Sequence, residues 1–118
     1  MAGDEFSIQT EGLPQKGVTL VKVSGYLDAH NFEQLDETIN QLFQGNQYKI
    51  LVDLSGVDYI SSAGAGVFIG ALQTAQDHEG NIVLMNPTVG VREVFDLLGL
   101  STIFEIVENK EAALSTFA

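Results

Sequence analysis

Residues 49–70 read KILVDLSGVDYISSAGAGVFIG, and the change of character along this stretch decides the fold. Residues 49–54 are, after Lys49, an apolar run broken only by Asp53, the pattern of a β-strand covered on both faces. Ser61 and Ser62 come next, then the alternation Ala63, Gly64, Ala65, Gly66. Val67, Phe68 and Ile69 lead on into a helix predicted over residues 63–78, which closes near Glu79 and Gly80. A buried strand, a turn of small residues and a helix form the unit from which parallel sheets are built, because parallel neighbours need a crossover.

The flanking sequence repeats the unit. Residues 5–11 alternate, Phe6 and Ile8 against Ser7 and Gln9, which predicts a first strand. Leu13-Pro14 and Gly17 mark a turn before a second strand over 18–23, so the two form a hairpin, which Gly25 ends. Asn31 is placed to cap a first helix, with Gln34 three residues on. Phe32, Leu35, Ile39 and Leu42 recur at helical spacing up to Gly45. Downstream, residues 82–85 are another buried strand, stopped by Asn86-Pro87. Val91, Val94, Phe95 and Leu98 mark a third helix that Gly99 terminates. Residues 103–107 predict a last strand and 110–117 a short terminal helix. The order β-β-α-β-α-β-α-β-α predicts one α/β domain over residues 1–118, with about five strands in a mixed, mostly parallel sheet and about four helices.

Composition bounds the function. At 118 residues and 45% hydrophobic, the chain suits one domain with one core, and no linker, repeat or low-complexity segment interrupts it. Without cysteine there is no disulfide framework, thiolate metal site or catalytic thiol. The N-terminal MAGDEFSIQT lacks the basic and apolar regions of a signal peptide, and no apolar stretch is long enough to span a bilayer, so a cytoplasmic location is expected. The net charge is −11, and the basic residues Lys16, Lys22, Lys49, Arg92 and Lys110 are scattered. Nucleic acid and anionic lipid both need clustered cations, so neither is an expected partner. The acidic surface serves solubility, or steers the chain towards a basic partner.

The small-residue turn at the strand-to-helix junction is where α/β proteins tend to place sites. A phosphate-binding loop of the form G-x-x-x-x-G-K-S/T would need a lysine that is absent here. A dinucleotide fingerprint fails by one residue, since Gly64 and Gly66 are followed by Gly70. A hydrolase elbow, G-x-S-x-G, would need glycine at Ile60, and nothing ties His30 or His78 to either serine. No set of acid, base and nucleophile can be assembled, so neither catalysis nor a cofactor or metal is expected. A helix N-terminus with hydroxyls remains. Ser62 is expected as its N-cap, accepting from the amide of Gly64 or Ala65. Gly66 and Gly70 are expected on one face, letting the helix approach the sheet. Cap and packing would by themselves explain the stretch.

Several segments together point further. Gly25-Tyr26-Leu27-Asp28 is similar to a G-x-I/L-D box, and Ser61 to Gly66 to a D-S-S/T-G-L-G box. Val52-Asp53-Leu54-Ser55, followed by residues 56–60, is similar to the strand and loop before that box, and residues 94–100 to a penultimate helix. Across nearly the whole chain, and in order, the pattern resembles the STAS domain of bacterial anti-sigma-factor antagonists (anti-anti-sigma factors). The resemblance implies a partner-switching, signal-transduction phosphoprotein that regulates transcription. Unphosphorylated, it would bind an anti-sigma factor that is itself a serine protein kinase with an ATPase-type fold. Phosphorylated, it would release it, and a serine phosphatase would reset it.

Anchoring on Gly64 and Gly66 puts the phosphoacceptor at Ser62, ahead of Ser61. Ser61 stands where the family usually has Asp, and Ala63 where it has Ser or Thr. The partner-binding set implied is Asp28, Ser61, Ser62, Ala63, Gly64 and Ala65. Asp28 also reads as a turn or cap residue, and Phe68 and Ile69 read either as core or as an apolar docking patch. Asp53 and Asp58 read as local loop and turn residues, Arg92 as a solvated helix residue. The alternative reading is a phosphorylation-independent STAS scaffold or small-ligand sensor subunit.

Overall fold

The computed structural model describes residues 6–14 and 17–117. One sheet holds strands β1 (Ser7–Leu13), β2 (Val18–Leu27), β3 (Lys49–Ile60), β4 (Asn81–Met85) and β5 (Glu105–Val107), arranged in chain order. β1 and β2 form the antiparallel hairpin, and every other neighbouring pair is parallel. The crossovers run through α1 (Phe32–Gln44), α2 (Ser62–Asp77) and α3 (Val89–Leu97), and α4 (Lys110–Thr116) follows β5. The α/β class and the mixed, mostly parallel sheet are those expected. Residue 5, the expected start of the first strand, and residues 15 and 16 of the hairpin turn lie outside the described residues.

Alternation along the strands sorts the core into two layers. Val21, Val23 and Leu27 of β2, with Val52, Leu54, Val57 and Ile60 of β3, face α1, α2 and α3. Leu35, Ile39 and Phe43 of α1 and Val91 and Phe95 of α3 complete that layer. On the other face, Val18, Leu51, Val83 and Met85 are covered by Ala113 and Phe117 at the chain's C-terminal end. α4 has only 7 residues, so it covers this face at the start of the parallel strands and leaves their far end open.

Two strands run past their expected ends. β2 continues through Gly25 to Leu27, and β3 continues through Ser55 and Gly56 to Ile60. The cause is a pair of register shifts: Lys22 pairs with Asp53 but Ser24 with Gly56, and Gly25 pairs with Val57 but Tyr26 with Tyr59. Each shift inserts one extra residue in β3, a bulge that keeps the strands paired where the glycines predict a break. Gly25 takes φ +95° there, open to glycine at little cost. Gly56 has no room for more, since a Cβ would lie 2.6 Å from the Ser24 hydroxyl.

The last strand, in contrast, is shorter than expected. Gly99 turns left-handed (φ +76°), and a 3-10 turn over Leu100–Thr102 carries the chain to Phe104 before pairing resumes at Glu105.

Candidate functional site

The two bulges bring β2 and β3 to the same level at their C-terminal ends, where Leu27 pairs with Ile60. Asp28 and Ser61 are therefore neighbours, each opening the loop or helix that follows. The Ser61 amide donates to the Leu27 carbonyl at 2.9 Å, which fastens the start of α2 to the end of β2. Closeness is enforced by Gly64, where a Cβ would stand 2.8 Å from both the Leu27 carbonyl oxygen and its Cγ.

Ser61, and not Ser62, is the N-cap. Ser61 has extended backbone (φ −92°, ψ 170°), and its hydroxyl accepts from the Gly64 amide at 3.2 Å. The helix therefore begins one residue before the expected 63. Ser62 is its first helical residue, exposed, and its hydroxyl makes no hydrogen bond among the described residues. At the first turn, the amides of Ser62 and Ala63 have no intrahelical acceptor. A hydroxyl in water thus stands beside two free donors at the positive end of a helix of 16 residues.

The expected partner set divides. Ser62 and Ala63 are exposed and Asp28 and Ser61 half-buried beside them, whereas Gly64 and Ala65 are buried. Gly64 is the point of closest approach to β2, and Ala65 packs in the core, so neither presents a side chain for docking. Gly66 and Gly70 are also corrected. Both are exposed, and a Cβ added at either would meet nothing within 4 Å, so neither lets the helix approach the sheet; Gly64 does that.

Asp28 is held in a tight loop. Its Oδ1 accepts from the His30 amide at 2.9 Å, and its carbonyl accepts from Asn31 and Phe32. Asn31 occupies the N-cap position of α1, but its side chain turns back instead of capping. Its Oδ1 accepts from the Asp28 amide at 2.9 Å and its Nδ2 donates to the Tyr26 carbonyl at 2.7 Å. The expected capping by Asn31 gives way to a brace that stiffens the loop beside Ser61.

Phe68 is fully buried, edge-on to Phe95 and Phe104, whereas Ile69 is exposed. Asp53 accepts from the Ser55 amide within its own strand. Arg92 sits 3.8 Å from Asp96 in an exposed pair, worth little in water. Among the described residues no group of three or more His, Asp or Glu could hold a metal ion, and no helix is long and apolar enough to cross a membrane.

Two features escape the motif reading. Thr88 caps α3 by accepting from the Val91 amide, and its hydroxyl donates to the Val57 carbonyl at the bulge, tying α3 to the site strand. Tyr26 and Tyr59 are exposed with ring centroids 5.9 Å apart. Their signal was present: Tyr26-Leu27-Asp28 and Tyr59-Ile60-Ser61 share an aromatic, aliphatic, polar order at the ends of adjacent strands.

An acidic, single-sheet α/β domain thus carries an exposed serine hydroxyl at a braced strand-to-helix junction. Residues 9–113 match the STAS domain family, and the chain belongs to that family. It is 31% identical over 101 residues to BtrV of Bordetella bronchiseptica, assigned as an anti-sigma factor antagonist, covering 86% of this chain and 87% of that protein. The anti-sigma-B factor antagonist of Staphylococcus epidermidis is 29% identical over 91 residues, covering 77% and 84%. Among solved structures, the anti-sigma factor antagonist SpoIIAA in its unphosphorylated form superposes with a TM-score of 0.78 at 25% identity, over 92% and 94% of the two chains. Bacillus SpoIIAA in its phosphorylated form gives 0.72 at 25% identity, over 92% and 97%.

Proposed function

We propose that this chain is an anti-sigma-factor antagonist whose partner binding is switched by phosphorylation of Ser62. The observation that carries the reading is the exposed, unbonded Ser62 hydroxyl at the first position of α2, next to a serine already committed as cap. Relatives named antagonists, and a structural neighbour solved with and without phosphate, support it. Ser61 is the poorer phosphoacceptor, because modifying its oxygen would disturb the bond to Gly64.

In this reading the unphosphorylated chain docks on an anti-sigma factor that is also a serine kinase, and so frees that kinase's other target. A phosphoserine adds roughly 1.5 to 2 negative charges. The free amides and dipole of α2 accommodate an anion, worth about 0.3–1 kcal/mol when exposed. A partner seated on the same spot must bury the phosphate or repel it, and an uncompensated buried charge costs about 3–5 kcal/mol. That is at least about a hundredfold in affinity. Phosphate therefore controls binding and leaves folding alone, and a serine phosphatase restores the docking form. The chain acts in the cytoplasm by binding and contributes no catalysis of its own.

The bare side of α2 fits a docking role. Gly66 and Gly70 cost the helix about 1 kcal/mol each relative to alanine, and no packing among the described residues requires them. A partner's loop reaching Ser62 gives that bareness a use. The small-ligand alternative finds a hollow between Tyr48, Lys49 and His78, at the opposite ends of the parallel strands from Ser62.

The test is capture from host lysate by the wild-type chain, Ser62→Ala and Ser62→Asp, followed by incubation of the purified captured kinase with ATP. The expected result is one ATPase-fold kinase retained by wild type and Ala, lost with Asp, and phosphate mapped to Ser62. Equal retention by all three overturns the switch.

A further inference from the structure

We infer that Tyr26, Tyr59 and Asp58 form a receptor for an arginine side chain of a protein partner. The two rings sit at paired positions of β2 and β3, with centroids 5.9 Å apart and planes tilted by 52°. They are 46% and 50% exposed, on the sheet face that α4 leaves open. Neither tyrosine hydroxyl makes a hydrogen bond to a described residue. Burial along β3 shows what the second bulge achieves: Asp58 and Tyr59, successive residues, are both exposed, between buried Val57 and Ile60. A regular strand would turn one of them inward. The bulge thus leaves a carboxylate exposed at the position next to Tyr59 in the chain, and the Asp58 carboxylate has no partner among the described residues.

The chemistry selects the occupant. An anion is repelled by Asp58 and by a chain of net charge −11. A purely apolar segment would cover Asp58 without pairing it. A cation satisfies the carboxylate and the ring faces together, and among the described residues the one ion pair is Arg92 with Asp96, so no cation there meets Asp58. Between the two cationic side chains, guanidinium is planar, stacks on a ring and forks onto a carboxylate, whereas ammonium is a more strongly hydrated point charge. The face adjoins Asp28 and Ser61 at the strand ends, so a partner reaching Ser62 can place an arginine here. The biological occupant rests on the proposed docking function; the receptor itself does not involve Ser62.

The experiment titrates the full chain at low salt with acetyl-Gly-Arg-Gly-amide, its lysine counterpart and its uncharged citrulline counterpart, reading tyrosine ring signals by NMR. The arginine peptide is expected to shift Tyr26 and Tyr59 saturably, at least about threefold more tightly than the lysine peptide, with no response to citrulline. Asp58→Asn should weaken binding by about threefold or more, and Tyr26→Ala with Tyr59→Ala should abolish it, amide spectra confirming that both variants are folded. Equal responses to all three peptides, or arginine binding that survives the double variant, overturns the receptor. Ser62→Asp should bind the arginine peptide as wild type does. A missing receptor with kinase binding still lost in Ser62→Asp removes this inference and leaves the switch, and the converse pattern removes the switch alone.

Discussion

Ser61 and Ser62 are identical side chains one peptide apart, and the fold gives them opposite duties. The Ser61 hydroxyl accepts from the Gly64 amide and the Ser61 amide donates to Leu27, while the Ser62 hydroxyl bonds to nothing among the described residues. Ser61→Ala should therefore cost about 1 kcal/mol in urea unfolding, and Ser61→Asp, another good cap, should stay close to wild type. Ser62→Ala should change stability by less than about 0.5 kcal/mol, as a surface substitution does. An equal loss from both alanine variants would mean that the cap is shared. Two adjacent serines before a helix announce a cap without saying which one serves. The choice rests on Leu27, more than thirty residues earlier, whose carbonyl takes the Ser61 amide, and no local pattern contains that bond. Asn31 misleads for the same reason: its side chain is drawn back to Tyr26 and Asp28, away from the helix it precedes.

At the scale of elements, α2 carries glycines of two kinds. Gly64 lies against Leu27, and a methyl group there meets backbone that cannot yield, so Gly64→Ala should cost about 1–3 kcal/mol. Gly66 faces open space on the same helix. Gly66→Ala should raise stability by about 0.5–1 kcal/mol through helix propensity and a less flexible unfolded chain. Thermal unfolding of the two variants checks the opposite signs, and a lower affinity of the stabilised Gly66→Ala for the captured kinase would place the partner on that face. The helical stripes of α1 and α3 and the buried runs of β3 and β4 were legible because periodicity reports burial directly. The bulges were not, since Gly25 and Ser55-Gly56 carry the ordinary signature of strand ends. What keeps those strands paired is each other, a property of two segments thirty residues apart. The site inherits this division: its serine and its order of elements were readable, while the outward turn of Asp58 and Tyr59 depends on the pairing.

Across the whole molecule, 16 acidic residues face 5 basic ones, and the folded state holds that imbalance in a smaller volume than the unfolded chain does. Raising ionic strength from about 10 to 100 mM shortens the screening length from about 30 to 10 Å, less than the width of the domain. Self-repulsion should weaken and the fold should gain on the order of 1 kcal/mol, or about 4 °C in midpoint for a chain of this size. Calorimetry in sodium chloride checks it, with a zwitterionic co-solute such as glycine betaine excluded so that only charge screening varies. An unchanged midpoint would mean that the acids are already neutralised locally. Docking should respond with the opposite sign, because the same salt screens the attraction between this acidic surface and a basic partner. Affinity for the captured kinase should fall over the range in which the fold grows more stable. A loss of binding through unfolding cannot produce that pair of slopes, so measuring both in one salt series separates the electrostatics of recognition from those of the fold.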